Sequence, residues 1–382
     1  MRKNFLSYGH QWIDDDDIKS VVDVLKSDWI TQGSKIKEFE ELVAKYCNAK
    51  YAVAFSSGTA ALHASLNGFY NLEGYEVITS PISFISSSNC ILYNCGIVKF
   101  ADIKPDTYNI NYQNIKKQIT SKTKAIIPVD FAGQPCDLDE VKEIANDNNL
   151  IVIEDACHAL GAEYKNKKIG NISDLTVFSF HPVKAITTGE GGMVLTNNYE
   201  YYEKLLLFRT HGITKNPNEM HRNDGEWYYE MHNLGYNYRI TDFQCALGIS
   251  QLKKLDKFIK RRREIAKIYN QEFESIDEIT IPYEKYNVKS AYHLYVVQFD
   301  LKVDKKTLFN LFRKENIGVQ VHYIPIHLQP FYQHLYNFQK GDFPIAENYY
   351  KKALTLPLFP KMNDVDVENV IDVVKKIIKN KN

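Results

Sequence analysis

No stretch of eighteen uninterrupted apolar residues occurs in this chain, so nothing in it reads as a membrane span. Charge of one sign is not in excess either: Lys plus Arg and Asp plus Glu each total 47. That balance leaves no electrostatic footprint for nucleic acid or an anionic membrane, and neither is expected as a partner. Six cysteines (Cys47, Cys90, Cys95, Cys136, Cys157 and Cys245) lie scattered, without a C-x-x-C pair. Small apolar packing in a reduced, cytoplasmic protein is the expectation, rather than a disulfide framework. No G-x-G-x-x-G follows a strand-like run and no Walker A motif is present, which disfavours a nicotinamide enzyme. The opening "MRKNFLSYGHQWIDDDD" starts basic but lacks an apolar run of signal-peptide length. Internal repeats and low-complexity segments are also missing.

What remains is an ordinary globular composition, 44% hydrophobic and 25% charged, on a chain long enough for two domains. Short β-branched runs recur from residue 50 onward: "YAVAFSS", "YEVITS", "IVKFADI", "KAIIPVD", "LIVIEDA", "LTVFSF" and "GMVLT". Helix-like segments such as "GTAALHASLNGF" and "LDEVKEIANDNN" fall between the earlier ones. The alternation predicts an α/β fold, a mostly parallel central sheet with helices on both faces. An amphipathic helix with an acidic first turn is expected over "DDDDIKSVVDVLKSD". A polar-aromatic stretch over 212–235 interrupts the pattern, and a helical run from Thr241 to about Phe273 follows. Beyond it the pattern predicts a smaller α+β domain: strand "YHLYVVQFD", helix "KKTLFNLFRKEN", strand "VQVHY" and two more helices. The boundary is placed near residue 250, giving domains 1–250 and 251–382.

Four local features carry chemistry. "FSSGTAAL" runs from strand through a Ser/Gly turn into a helix start, where free N–H groups and partial positive charge suit a phosphate. Gly58 allows close approach and Ser57 and Thr59 offer hydroxyls; the same residues also read as an ordinary helix cap. "IVIEDACHALG" sets Asp155 at the C-terminal end of an apolar strand, the edge where open α/β sheets bind ligands. A carboxylate there suits a protonated ring nitrogen, or equally the cap of the next segment. Glu154 beside it points to the opposite face by strand alternation. "SFHPVKAITTGEGG" holds Lys184 between two strand-like runs and a turn containing Gly189, Gly191 and Gly192. That setting favours an amine that condenses with a carbonyl, which needs a depressed pKa, over a surface charge. "GYNYRITDFQCALG" pairs Asn237 with Arg239, a residue suited to bidentate phosphate binding or to a surface ion pair.

Phosphate cup, ring-nitrogen carboxylate and reactive lysine, in that order, are the parts that pyridoxal 5'-phosphate (PLP) requires. With "SDWITQGSKIKEFE", "RTHGI", "AYHLYVV", "VHYIPIHLQPFY" and "LPLFP" added, the chain resembles the DegT/DnrJ/StrS family of sugar-nucleotide aminotransferases almost end to end. The resemblance implies the fold-type I PLP-dependent transferase architecture and a homodimer. It places the cofactor-bearing lysine at Lys184 and the pyridine-nitrogen partner at Asp155. Phosphate is expected at Gly58, Thr59 and Ser179, with Asn237 reaching across the dimer, and Phe84 is expected to stack on the ring. Many members carry Gln where this chain has His158, so the donor near the cofactor's phenolic oxygen is left open. "YGHQWID", "FAGQPCDLDE" and "SFHPVKAITTGEGG" look most like members acting in pseudaminic acid biosynthesis. That likeness implies a UDP-linked 4-keto sugar as acceptor and L-glutamate, released as 2-oxoglutarate, as donor. Sugar-nucleotide contacts would then fall on Tyr8, Asp28, Trp29, Ile30, Thr31, Arg239, Gln320, Val321, His322 and Tyr323.

Two other readings are weighed. Family dehydratases replace the lysine with His, and Lys184 argues against that; a binding-only regulatory member is countered by the full set of cofactor residues. His322 and His327 stand five apart without a third ligand, so no metal is expected and His327 reads as structural.

Overall fold

The computed structural model describes residues 4–67 and 71–380. Seven strands form one sheet in the order Tyr51–Phe55, Gly192–Thr196, Leu175–Ser179, Ile151–Asp155, Thr123–Ile127, Glu76–Thr79, Ile97–Phe100. Every neighbouring pair is parallel except those of Gly192–Thr196, which runs antiparallel to both its neighbours. Both faces of the sheet are covered, which is why its strands read as near-continuous apolar runs. Alternate residues divide between two cores. Ala52, Ala54, Ile126, Val152 and Phe178 join one, with helices Ser34–Cys47, Leu138–Asp147 and Asp242–Leu252 over them. Val53, Phe55, Ile127, Ile153 and Val177 join the other, beneath helices Gly58–Asn67, Ser86–Tyr93 and Tyr199–Arg209. The fold is therefore the mostly parallel, two-faced α/β arrangement that the sequence predicts.

The first helix, Asp15–Leu25, starts on a capping box between Asp14 and Asp17. Lys254 pairs with Asp14, and with the fully buried Asp17 at 3.0 Å. The helical run expected from Thr241 to Phe273 is two helices, Asp242–Leu252 and Leu255–Phe273. Lys253 and Lys254 between them keep right-handed backbone angles, φ −105° and ψ −6° at Lys254, but there the amide bonds Gln251 O three residues back, where that ion pair forms.

A third core holds Leu6 together with residues between Ile265 and Ile378. Its antiparallel sheet has the order Ile279–Thr280, Tyr295–Phe299, Ala353–Leu356. Helices Leu255–Phe273, Lys305–Lys314 and Asp364–Lys379 pack on it. Two expectations are corrected here. "VQVHY" is not a ladder strand: only an isolated bridge joins Gln320 to Thr355, because the neighbouring groups make tertiary bonds instead. His322 Nδ1 meets Thr355 Oγ1 at 2.7 Å, and the Tyr349 hydroxyl donates to the His322 carbonyl at 2.5 Å. Beyond it, among the described residues, lie three α-helices rather than two, Pro330–Tyr336, Pro344–Lys352 and Asp364–Lys379, with the strand Ala353–Leu356 between the second and third.

Candidate functional site

A cavity of about 540 Å³ opens at the C-terminal ends of the parallel strands, within the usual size of a small-molecule site. Its walls come from five places at strand ends of the central sheet and from three outside it, Tyr8, His293 and His322 with Tyr323. The turn Ser57–Thr59 follows the strand Tyr51–Phe55 and begins the helix Gly58–Asn67. Ser57 Oγ accepts from Ala60 N at 3.1 Å, so this serine does cap the helix, while Gly58 faces the cavity. A Cβ on Gly58 would lie 3.0 Å from Ser179 Cβ and 3.2 Å from its Oγ. That lack of room is why a side-chain-free residue stands there. A helix N-terminus beside the Thr59 and Ser179 hydroxyls makes an anion cradle.

Asp155 ends its strand and is buried against the cavity. The Ser87 hydroxyl donates to Asp155 Oδ2 at 2.5 Å and Cys157 N donates to Oδ1 at 3.2 Å, so both oxygens are oriented. Backbone bonds lock the strand end itself, Asp155 N to Pro128 O at 2.9 Å and Asp130 N to Asp155 O at 3.1 Å. Glu154 points into the opposite core, where Thr176 Oγ1 donates to it at 3.1 Å. Burial raises the Glu154 carboxyl and pushes Asp130 well up, with repulsion from Glu154 adding at Asp130.

Lys184 sits on the loop joining the antiparallel strands Leu175–Ser179 and Gly192–Thr196. The loop is held at its neck by Phe180 N to Gly191 O at 2.9 Å and Thr188 N to Phe180 O at 3.0 Å. The Thr187 hydroxyl donates to Phe180 O and accepts from Gly189 N, each at 2.9 Å, and Gly189 takes φ +81°. The amine reaches the cavity between Asp155, Cys157 and His158. Removal from water lowers its pKa, partly opposed by Cys157 and Asp155. A lowered amine pKa is what a lysine needs to be a nucleophile and proton carrier near neutral pH.

An imidazole cluster closes the far wall. His158 lies 4.3 Å from His293 between ring centroids, and its Nε2 meets the Tyr323 hydroxyl at 3.2 Å. Burial holds both imidazoles neutral, well below the usual histidine range, and the Lys184 charge acts in the same direction. Burial likewise pushes His322 down to about 3. Tyr8 packs on His322 at 5.1 Å, and Phe84, 55% exposed, hangs over the opening.

The structure thus brings together Tyr8, Gly58, Thr59, Phe84, Asp155, His158, Ser179, Lys184, His322 and Tyr323. It does not bring the others to this chain's own cavity. Gln320 is exposed and Val321 half-buried, both outside the cavity lining. Asp28 and Trp29 line a separate cleft of about 710 Å³ with Asp242 and Lys253, Ile30 is 48% exposed, and Thr31 bridges to Thr241. Asn237 is exposed and bridges to Thr210, while Arg239 is half-buried outside the lining. His327 pairs with Glu347 at 3.0 Å inside the protein. The residues the sequence reading missed are Ser87, Cys157, His181, Glu190 and His293. His293 lies within the quoted "AYHLYVV" and Ser87 just past "SPISF", but no local signal marks either as a site residue.

The aligned carboxylate, desolvated lysine and anion cradle fit PLP: Asp155 for the ring nitrogen, Lys184 for the aldehyde carbon, Gly58 to Thr59 and Ser179 for the phosphate. Comparison with known proteins points the same way. Residues 11–375 match the model of the DegT/DnrJ/EryC1/StrS aminotransferase family. An uncharacterised protein of Methanocaldococcus jannaschii is 48% identical, over 99% of each chain. The spore coat polysaccharide biosynthesis protein SpsC of Bacillus subtilis is 41% identical, over 99% of this chain and 98% of its own. The UDP-4-amino-4,6-dideoxy-N-acetyl-beta-L-altrosamine transaminase of Campylobacter jejuni is 39% identical, over 98% and 97%. Among solved structures, Helicobacter pylori PseC, an aminotransferase of pseudaminic acid biosynthesis, superposes with a TM-score of 0.93 at 35% identity, covering 99% of this chain and 100% of that one. A Streptococcus pneumoniae protein assigned as a sugar aminotransferase and solved in PMP and PLP forms superposes at 0.93 and 0.92, at 30% and 29% identity, each covering 99% and 100%. The chain belongs to the DegT/DnrJ/EryC1/StrS aminotransferase family, and its cofactor is PLP.

Proposed function

We propose that this sugar aminotransferase moves the amino group of L-glutamate to C4 of a UDP-linked 4-keto-6-deoxy-N-acetylhexosamine, in the cytoplasm, as a step of pseudaminic acid biosynthesis. The observation that carries the transfer chemistry is the placement of Lys184 and Asp155 on one cavity beside the Gly58 turn. The choice of sugar rests on the likeness to the C. jejuni and H. pylori proteins. Bound PLP supplies an electron sink that stabilises the carbanion formed at the substrate carbon.

The chain's residues divide the remaining work. Asp155, fixed by Ser87 and Cys157 N, holds a positively charged ring nitrogen by charge and hydrogen bond. Lys184 would move a proton between the substrate carbon and the cofactor in each half-reaction, away from the donor's α-carbon in the first and onto the acceptor's C4 in the second. Its lowered pKa keeps a larger neutral fraction available for the first step. Gly58, Thr59 and Ser179 hold the phosphate and so fix the ring's position. His158, neutral and hydrogen-bonded to Tyr323, offers a donor or acceptor toward the ring oxygen without adding charge.

The proposed active unit is a homodimer. Asn237 is exposed and outside its own cavity, and near it in sequence Trp227 and Leu234 are 75% and 73% exposed. Apolar side chains exposed this far are what a partner surface covers. In this reading Asn237 reaches the second copy's phosphate. The Asp28–Thr31 segment and Arg239 complete the second copy's nucleotide site, beside that copy's Tyr8 and His322. The N-terminal residues to about 250 carry the cofactor, and the smaller C-terminal domain closes over it.

The test offers the purified enzyme UDP-linked 4-keto sugars of β-L-arabino and D-xylo configuration, and dTDP analogues, with L-glutamate. Preference for the β-L-arabino UDP sugar is expected. Each polar group left unpaired by the wrong epimer costs about 1–3 kcal/mol, roughly 5–150-fold. Preference for another sugar, with transamination intact, rejects the pathway and keeps the chemistry.

A further inference from the structure

Outside this cavity, the excursion over residues 213–231 holds a second group of chemically capable side chains. Its ladder is only two residues wide, Ile213 against Met231 and Thr214 against Glu230. None of residues 215–231 is buried, so no core of its own fixes the segment. Hydrogen bonds converge on one side chain instead. Glu230 Oε2 meets His221 Nδ1 at 2.8 Å and His232 Nε2 at 2.8 Å. Glu230 also accepts from His221 N at 2.9 Å and from the Tyr228 hydroxyl at 2.9 Å, both on Oε1. Two imidazoles therefore present a ring nitrogen each to one pre-oriented carboxylate, and all three donor atoms lie within 4.8 Å of one another.

We propose that His221, Glu230 and His232 bind one divalent transition-metal ion of the zinc class, clipping the 213–231 excursion shut. Two imidazole nitrogens and a carboxylate are a donor set that zinc, cobalt(II) and nickel(II) take readily, whereas magnesium and calcium prefer all-oxygen sites. Around a tetrahedral zinc with bonds of about 2.0–2.1 Å, donor atoms end up about 3.3 Å apart. To admit the ion the two 2.8 Å contacts must open slightly, and the two ring nitrogens, no more than 4.8 Å apart, must settle to the same spacing. Both imidazoles must present a lone pair, so each ring nitrogen now facing Glu230 gives up its proton, moving it to the other nitrogen or to water. Metal binding then releases protons where a ring was charged. Tyr228 and His221 N keep Glu230 aimed at the ion, the outer support that metal-binding carboxylates use. His221 is 87% exposed along its side chain, which leaves the remaining coordination position to water. The role is structural: the ion ties His221 to the ladder and so fixes the Trp227 to Tyr229 stretch that lies between its ligands.

The experiment uses tag-free holoenzyme treated with chelator and then titrated with Co²⁺ and Zn²⁺. Wild type is expected to take one ion per chain, with a cobalt spectrum of low coordination number. His221→Ala combined with His232→Ala should weaken that binding at least ~10-fold. Zn²⁺ should slow proteolytic cutting within 215–226, the part of the excursion away from Trp227, in wild type and leave the double variant unchanged. Because the substituted residues are on the surface, circular dichroism of the variant should match wild type. Equal metal uptake by wild type and double variant, or no uptake by wild type at micromolar ion, overturns the proposal and leaves the cluster as an ion pair. Protection by Zn²⁺ in both proteins overturns it as well.

Discussion

Gly192 is a position where an added side chain would press directly on the proposed cofactor cradle. It pairs with Phe55 on one side and Ser179 on the other, directly below the Ser57–Gly58 turn. A methyl group placed on it would lie 2.3 Å from Ser57 O, 2.5 Å from Ser57 C and 2.7 Å from Gly58 N. A tolerable carbon–oxygen contact is about 3.3 Å, so backbone must shift by about 1 Å. No flexible side chain can absorb that shift. Overpacking of this kind costs about 1–3 kcal/mol. Carried by the turn, Gly192→Ala should weaken PLP binding about 5–150-fold, since each 1.4 kcal/mol is a factor of ten. Carried by the strands, it should lower the melting midpoint by a few degrees, at about 2–4 °C per kcal/mol for a chain of 150–250 residues and less for a longer one. The assay removes PLP, titrates it back by absorbance and records thermal melts of both forms. Gly189→Ala is the control. At φ +81° it pays only local strain, because no atom lies within 4 Å of the added methyl. Unchanged PLP affinity and unchanged melting in Gly192→Ala would refute the idea that this close approach sets the turn.

Lys184→Ala should keep part of its PLP through the phosphate contacts and lose turnover by about 10²–10⁴-fold, the share of a positioned proton-transfer group. Borohydride reduction that fixes the cofactor to another lysine contradicts the assignment. Asp155→Asn should fold normally and lose rate in the chemical step rather than in sugar-nucleotide affinity, which single-turnover kinetics separates from binding. Mixing inactive Lys184→Ala with inactive Asn237→Ala should restore partial activity through hybrid dimers; no recovery after subunit exchange counts against a shared site. In the cofactor-free protein the lowered Lys184 pKa means the unfolded chain binds more protons than the folded one below the ordinary value of 10.5. Stability should therefore rise with pH through the window between the folded and unfolded pKa values, and Lys184→Met should flatten that part of the urea-midpoint profile.

Much of this site can be read along the chain because its residues follow strand ends. Asp155 closes "IVIED" and Lys184 follows "LTVFS" by five residues, so a run of buried β-branched residues announces each. Ser87 and His293 carry no such announcement. Ser87 lies 68 residues from the carboxylate it orients, and only the folded sheet makes them neighbours. The strand Ala353–Leu356 escapes for a different reason: "KKALTL" continues the apolar spacing of the helix Pro344–Lys352 with no turn residue between. The break at Lys254 is equally silent, because "SQLKKLDKF" contains nothing that disfavours a helix; the ion pair to Asp14 and Asp17 that marks it is a tertiary contact.

Glu154 and Asp155 are chemically near twins, one bond apart, that the sheet assigns to opposite sides of the protein. Only parity separates the acid that faces the proposed cofactor cavity from the acid buried beside Asp130. One residue added or removed in the turn Asn148–Leu150 would carry the wrong carboxylate to each side if the strand slipped to keep its length. The turn's chemistry is otherwise undemanding: Asn148 and Asn149 are exposed, and an asparagine at φ +53° is easily accommodated. Within this turn Leu150 is tied to the core and Asn149 to a left-handed backbone, but the residue count is the stricter demand, and shuffling or grafting of this strand among related scaffolds must preserve its odd–even phase.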